Sequence, residues 1–214
     1  MALSFTHPFP DLADTYDWFR ARLTAIACLR RRGYDDVDRV TTYTDFRDFV
    51  RACGAAPPSE TAMAIWLPDR KLLVQFCTTP KALGIAHVRE LSRLSCERGV
   101  KNLIIVSRQG ITSSAKSQIS ELFGKDTRVR MFLRSELLVD IFAHVNMPRI
   151  RVLSSEEWRD VSKRRVPATT AQNLPKILRT DPVSRLLDLR PGQVIEAVYP
   201  SINCGEHTEY HVVA

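Results

Sequence analysis

The chain has 214 residues, 44% of them hydrophobic and 26% charged, a composition that allows a packed core and argues against wholesale disorder. Its net charge of +7 favours contact with a polyanion such as nucleic acid, although a generic basic protein carries the same surplus. Five cysteines without a CxxC pair, no long apolar run and no signal peptide predict free thiols, no membrane contact and a location in the cytosol or nucleus.

The N-terminal part of the chain begins with a predicted helix over residues 14–32. Apolar residues recur there at three- and four-residue steps, and Gly33 supplies a left-handed stop. The apolar face comprises Leu12, Tyr16, Phe19, Leu23 and Ile26. Most of the arginines of this helix, Arg22 among them, are expected to lie off that face.

A shorter helix and a hairpin follow. The helix is predicted over residues 45–53, with Thr44 as its N-cap and Gly54 as its stop. Residues 62–67 and 71–77 read as two strands of a hairpin, because both are rich in apolar residues and Pro-Asp-Arg separates them.

The next segments alternate between helix and strand, which predicts a small open α/β sheet. The predicted elements are a helix at 84–98, a central strand at 102–107, a helix from Thr112 or Ser113 to Phe123, a strand at 128–133 and a helix from Ser135 to Ala143.

The C-terminal part begins at Pro148 and has shorter elements, so we expect an α+β fold with a small mixed sheet. Ser154 and Glu157 form a capping box that opens a helix, and residues 166–173 resemble a linker. The later elements are a strand at 174–179, a short helix opened by Asp181 and Pro182, a turn at Pro191 and Gly192, strands at 193–199 and 207–213, and a loop at 200–206.

Signals of active-site chemistry are weak. Cys204, His207 and His211 are the nearest approach to a metal set, but a structural zinc ion needs four ligands, so we expect no metal or cofactor. A hidden nuclease would need carboxylates and a lysine that converge on a metal. Asp69 precedes the strand 71–77, but Gln75 and Cys77 follow on it and no such lysine is present.

The segment of greatest functional interest is residues 108–116, RQGITSSAK. It combines a glycine, three hydroxyls, a helix start and a lysine, and free amides at a helix N-terminus suit a phosphate oxygen. Such contacts hold a DNA backbone without reading its sequence, but on the residues alone plain helix capping is the simpler interpretation. The candidate DNA-proximal residues are Arg108, Gly110, Thr112, Ser113, Ser114 and Lys116, with Arg89 and Arg93 as weaker candidates.

An ordered series of motifs carries a resemblance to a known family. Residues 174–177, 181–185 and 189–194 resemble the assembly domain of the fifth shared subunit of eukaryotic RNA polymerases, and its smaller archaeal counterpart is similar over this part only. Residues 109–112 and 114–116 resemble the downstream-DNA loop of the eukaryotic subunit. Further matches lie at 31–34, 136–138, Pro148, 155–157, Pro200, Ser201 and Tyr210, so the resemblance covers nearly the whole chain.

The resemblance implies a non-catalytic subunit of a nuclear DNA-directed RNA polymerase. Its α/β jaw domain, residues 1–147, would lie beside downstream double-stranded DNA. Its α+β assembly domain, residues 148–214, would dock on the largest subunit, in a complex that includes the small omega-like shared subunit. The interface residues expected from the resemblance are Pro175, Ile177, Asp181, Pro182, Val183, Arg185, Arg190, Gly192, Gln193 and Tyr199.

The sequence also departs from the family pattern. Ser113 stands where proline is usual, His211 where arginine is usual, and Asn203 and Cys204 alter the loop after Ser201. Glu196, Tyr199 and Glu206 occupy hairpin positions that are commonly basic. Because exchanging a cation for an anion rejects an acidic partner, we hypothesise a paralogue that serves one polymerase, such as a nucleolar polymerase I form in kinetoplastid parasites.

Two functions of other classes stay open as alternatives. A nuclease-like DNA enzyme would cleave DNA as an isolated chain in the presence of a metal ion. A free DNA-binding regulator would separate from RNA polymerase on gel filtration.

Overall fold

A computed structural model describes residues 9–40, 43, 45–124, 126–165, 171–201 and 205–214. The chain divides into two compact units, Met1–Val139 and Asp140–Ala214, each built on a four-stranded mixed sheet with flanking helices. Among the helices that these residues form, none is long and apolar enough to cross a bilayer.

The first unit follows the predicted alternation of helices and strands. Its elements are α1 (Ala13–Arg31), α2 (Phe46–Cys53), α3 (Glu60–Met63), β1 (Ile65–Leu67), β2 (Leu72–Cys77), α4 (Ile85–Glu97), β3 (Asn102–Ser107), α5 (Ser113–Phe123) and β4 (Arg128–Leu133). The expected stops are confirmed at Gly33 and Gly54, which both have positive φ angles. The predicted hairpin is confirmed, except that Ala62 and Met63 belong to α3.

The sheet of the first unit has the order β1-β2-β3-β4, with β1 antiparallel to β2 and the other three strands parallel. The prediction of a central strand at 102–107 is confirmed, because β3 lies between two strands and buries five of its six residues. Leu73 and Leu103 share a core cluster with Val88 of α4 and Phe123 of α5. The opposite face meets α1, where the rings of Trp18 and Phe76 lie 6.4 Å apart edge to face.

The prediction that Arg22 lies off the core face is wrong. Its side chain is 2% exposed, its Nε donates to the carbonyl of Met63 at 3.0 Å, and its guanidinium lies 4.8 Å from the centre of the Tyr43 ring. Helix α1 is buried between the sheet and other elements, so more than one stripe of it faces the core, including Trp18 and Leu29. Burial lowers the pKa of Arg22.

The segment after β4 also departs from the predicted structure. The helix expected from Ser135 to Ala143 is replaced by two 3-10 turns, Arg134–Leu137 and Ile141–Ala143. The carboxylate of Glu136 accepts from the amide of Leu133 at 2.7 Å, and Asp140 accepts from the amide of Phe142 at 3.1 Å, so local side-chain bonds compete with a continuous helix. The predicted N-cap Thr44 lies outside the described residues.

The second unit contains β5 (Arg149–Leu153), α6 (Ser155–Arg165), β6 (Lys176–Ile177), α7 (Pro182–Leu186), β7 (Val194–Ser201) and β8 (Gly205–Val213). Its sheet has the order β5-β7-β8-β6, and only the pair β6 and β8 is parallel. Strand β5 was not predicted, and the strand expected at 174–179 is confined to β6. Strands β7 and β8 extend into the loop predicted at 200–206.

The two faces of this second sheet differ in how they are covered. On one face, Trp158 and Val161 of α6 pack against a cluster that includes Leu153, Val194 and Tyr210. On the other face, a smaller cluster of Leu189, Ile195 and Val213 leaves part of the sheet open. The capping box at the start of α6 is confirmed, since Ser154 Oγ accepts from the amide of Glu157 and the Glu157 carboxylate accepts from the amide of Ser154.

Candidate nucleic-acid and subunit interfaces

The predicted DNA-proximal segment lies at one edge of the first sheet. Strands β2, β3 and β4 are parallel, so the residues that follow them meet at the same edge. Leu83 donates its amide to the carbonyl of Gly110 at 2.9 Å, and its carbonyl accepts from the amide of Thr112 at 3.0 Å. These two bonds join the loop after β2 to the loop after β3.

Within the segment, the backbone is shaped for a tight turn into α5. Gly110 has a φ of +80°, and its amide donates to Ser107 Oγ at 3.0 Å. Thr112 is the N-cap of α5, because its Oγ1 accepts from the amide of Ala115 at 3.3 Å. The capping interpretation is therefore confirmed for Thr112, while Ser113 and Ser114 remain exposed at the helix start.

The two cations of the segment differ in their surroundings. Lys116 is exposed in the first turns of α5. Arg108 is bound to α1, with 2.6 Å between its Nη2 and Oδ2 of Asp14, and its side chain is 31% exposed. The charge of Arg108 is thus balanced by a carboxylate of its own unit.

Asp14 belongs to a larger network of charges. Arg134 donates to its Oδ1, bonds to Asp17 at 3.1 Å, and places its guanidinium carbon 5.1 Å from the centre of the Trp18 ring. The side chain of Arg134 is 15% exposed, so this arginine is held on several sides. The network fixes the end of β4 and the end of β3 to the first turns of α1.

The weaker candidates lie on α4, and the sheet edge holds one further exposed lysine. Arg89 and Arg93 are exposed, and Arg93 pairs with Glu97 at 3.5 Å along the helix. Lys81 is exposed in the loop after β2, which Leu83 joins to the loop after β3. Lys81 could have been identified from the sequence because it follows a strand that is parallel to β3, and parallel strands end at the same edge of a sheet.

The second unit carries a groove of about 400 Å³ on the open face of its sheet. Four of the predicted interface residues line it, namely Ile177, Asp181, Val183 and Tyr199. The remaining lining residues are mostly apolar: Met147, Pro148, Ile150, Lys176, Leu178, Ile195, Ala197 and His211. Leu178 is 62% exposed, which makes it one of the few large apolar side chains that face solvent in the described part of the chain.

The other predicted interface residues do not line this groove. Pro175, Pro182 and Arg190 are exposed, and Arg185 is half-buried in α7. Asp181 caps α7 by accepting from the amide of Val183 at 2.8 Å, with Pro182 in the first turn as predicted. Gly192 and Gln193 shape a turn: Gly192 has a φ of +84°, and Gln193 Oε1 accepts from the amide of Arg190 at 2.6 Å.

Two acidic residues of the hairpin, Glu196 and Glu206, are paired with arginines on β5. Arg151 bonds to Glu196 at 3.2 Å and also to Glu157, and Arg149 bonds to Glu206. The bonds from the amide and hydroxyl of Ser154 and from Arg151 hold the pKa of Glu157 below its usual value. Strand β5 therefore compensates the negative charges of Glu196 and Glu206.

The described residues that were considered for a metal or nuclease site do not form one. His207 and His211 each lie 3.2 Å from a different oxygen of Glu209, and Cys204 lies outside the described residues. Asp69 is exposed in the turn between β1 and β2, whereas Gln75 is buried in β2. Within the ranges that the structure describes, no group of three or more His, Cys, Asp or Glu side chains is arranged to hold a metal ion.

Comparison with known proteins finds similarity along most of the chain. The family model described as RNA polymerase Rpb5, C-terminal domain, matches residues 139–213. The DNA-directed RNA polymerases I, II, and III subunit RPABC1 of Caenorhabditis elegans is 29% identical over 216 residues, which cover 95% of this chain and 98% of that protein. The corresponding Dictyostelium discoideum subunit is 31% identical over 147 residues, or 68% of this chain and 73% of that protein. The DNA-directed RNA polymerases IV and V subunit 5B of Arabidopsis thaliana is 27% identical over 209 residues, or 94% of this chain and 91% of that protein.

Proposed function

Because this chain belongs to the Rpb5 family of RNA polymerase subunits, we propose that it works as a non-catalytic, structural subunit of a nuclear DNA-directed RNA polymerase. The observation that carries the proposal is the extent of the similarity, which covers 95% of this chain and 98% of the nematode subunit. The two compact units are consistent with a jaw domain followed by an assembly domain.

The proposal is tested by isolating the tagged full chain from nuclei of its source and identifying the proteins that accompany it. We expect the largest polymerase subunit and the small omega-like subunit in equal amounts with this chain. Recovery of the chain as a monomer, with no polymerase subunit, would contradict the proposal and favour a free regulator. Metal-dependent cleavage of DNA by the pure chain would favour the nuclease alternative.

Docking on the largest subunit is assigned to the groove of the second unit. The groove is mostly apolar, lies on the open face of the sheet, and is lined by Ile177, Asp181, Val183 and Tyr199 among others. An apolar surface of this kind is stabilised when a partner covers it.

Leu178 offers a clean test of docking, because it lines the groove and its side chain is mostly exposed, so the fold should tolerate its replacement. We expect Leu178→Asp to reduce recovery of the largest subunit. Val145→Asp is a matched control, since Val145 is 82% exposed in the same unit and does not line the groove. Equal recovery with both variants would count against the groove as the docking surface.

Contact with downstream DNA is assigned to the sheet edge that holds the segment 108–116. Lys116 and Lys81 are exposed there, and Ser113 and Ser114 stand at the start of α5, where backbone amides favour a phosphate. Binding through phosphates is independent of sequence and weakens with salt, because counterions are released from the DNA.

This contact can be measured with the full chain and a short DNA duplex by fluorescence anisotropy over a series of salt concentrations. We expect Lys116→Ala to weaken binding and to lower the slope of log K against log salt by about one. Lys101→Ala is the control, because Lys101 is exposed directly before β3, at the opposite edge of the sheet. Identical behaviour of the two variants would contradict the assignment.

The family itself supports specialisation for one polymerase. The first candidate is polymerase I, in the nucleolus. The Arabidopsis relative carries the name of polymerases IV and V, so some members serve particular enzymes. In this chain, Arg149 and Arg151 neutralise the unusual acids, which leaves Tyr199 and His211 as the departures that line the groove. Equal stoichiometry of this chain in every purified nuclear polymerase would remove the proposal.

A further inference from the structure

We infer that Asp14 acts as a latch on Arg108: the carboxylate holds this arginine in the free subunit, and a DNA phosphate competes for it. The inference rests on the proposed DNA contact of the segment 108–116 and assigns a regulatory role to α1, which is remote from that segment in sequence. It also explains how a paired arginine can contribute to nucleic-acid binding.

The pair has the geometry of a strong but accessible ion pair. Nη2 of Arg108 and Oδ2 of Asp14 are 2.6 Å apart, and the two side chains are 31% and 40% exposed. A phosphate oxygen can approach such a pair from solvent, since neither partner is fully enclosed. A guanidinium binds carboxylate and phosphate with the same charge-assisted hydrogen bonds, so one acceptor can replace the other.

Release of Arg108 does not leave Asp14 without a cation. Arg134 bonds to the other carboxylate oxygen of Asp14, and it is held in place by Asp17 at 3.1 Å and by the Trp18 ring at 5.1 Å. The cost of separating a partly buried ion pair comes mainly from the unpaired charge that remains. Since Arg134 keeps Asp14 paired, that cost is small here.

The latched arrangement also leaves one donor of Arg108 unused. Its Nε is buried and has no hydrogen-bond acceptor among the residues that the structure describes. A buried donor without a partner is unfavourable, so the position that Arg108 occupies beside Asp14 is not its most favourable one. A phosphate with several free oxygens can satisfy more donors of the same guanidinium.

Substitution of Asp14 by asparagine provides the main test, again with the full chain and a short duplex. We expect Asp14→Asn to raise DNA affinity by about threefold to tenfold at low salt and to steepen the salt dependence by about one contact. Asp17→Asn is the matched control, because it removes the same charge from the same helix but leaves the bond between Asp14 and Arg108 in place.

Arg108→Ala completes a double-mutant cycle. Alone it should weaken binding less than Lys116→Ala, and combined with Asp14→Asn it should abolish the gain. An equal gain in Asp14→Asn and Asp17→Asn, or a gain that survives loss of Arg108, would overturn the latch. If Lys116→Ala behaves like Lys101→Ala, the DNA contact itself fails and the latch fails with it.

Nuclear magnetic resonance of the wild-type chain gives a second readout that needs no variant. Addition of the duplex should shift the Nε–H signal of Arg108 and leave that of Arg134 unchanged, because only Arg108 leaves Asp14. Equal shifts of both signals, or a shift of neither, would contradict the inference.

Discussion

Arg108 and Asp14 are 94 positions apart in the sequence, yet their side chains meet with 2.6 Å between nitrogen and oxygen. The bond attaches the loop after β3 to the first turn of α1. The other oxygen of the Asp14 carboxylate bonds to Arg134 at the end of β4. The proposed DNA-binding edge and the N-terminal helix are therefore parts of one electrostatic network.

Loss of Arg134 should destabilise the first unit. Arg134→Met removes the bonds to Asp14 and Asp17 and the contact with Trp18, and a partly buried network of this kind contributes about 1–3 kcal/mol to the free energy of unfolding. The measurement is urea denaturation followed by tryptophan fluorescence. Arg93→Met is the control, because it breaks only an exposed helix pair with Glu97 and should change stability by less than about 0.5 kcal/mol. Equal effects of the two variants would show that the network does not stabilise the fold.

Local signals in the sequence predicted much of the fold. The cap at Thr112, the capping box of Ser154 and Glu157, and the glycine stops all depend on residues within a few positions of one another, and the structure contains each of them. The central strand β3 was also predictable, because a strand covered on both faces has a continuous apolar run.

Features that depend on distant partners could not be predicted. The pairing of Arg108 with Asp14 requires the packing of α1 on the sheet edge, and the burial of Arg22 requires Tyr43 and the carbonyl of Met63. Strand β5 was not predicted, because the sequence alone does not show that β7 lies beside it and supplies a partner for its arginines. The groove of the second unit likewise exists only once β6, β7 and α7 come together.

The buried arginine of α1 should tolerate an apolar replacement better than a truncation. Burial lowers the pKa of Arg22, because desolvation opposes its charge. Arg22→Met keeps the length of the side chain and removes that opposition, so we expect a change of less than about 1 kcal/mol in the free energy of unfolding. Arg22→Ala leaves a cavity and should cost about 3 kcal/mol. Equal destabilisation by both variants, measured by urea denaturation, would indicate that the charge itself stabilises the core.

The cysteines should differ sharply in reactivity. Burial raises the pKa of the Cys77 thiol to about 12, with a smaller contribution from Glu60, so almost none of it is thiolate at about pH 8. Cys96 is exposed on α4. Alkylation of the native chain, followed by mass spectrometry, should modify Cys96 first and leave Cys77 intact, whereas both should react in urea. Modification of Cys77 at the rate of Cys96 in the native chain would contradict the buried position of β2.

The capping box of α6 should make the second unit sensitive to acid. The amide and hydroxyl of Ser154 and the guanidinium of Arg151 lower the pKa of Glu157 in the folded state. A carboxyl group whose pKa is lower in the folded state stabilises the fold at pH values above its unfolded pKa. This contribution is lost as the pH falls from the usual glutamate range through the lowered folded pKa. Urea midpoints across this range should fall more steeply for the wild type than for Glu157→Gln, which should also be less stable at neutral pH. Glu156→Gln, an exposed residue of the same turn, should keep the wild-type slope, and a flattened slope in this control instead would assign the acid sensitivity to general charge rather than to the cap.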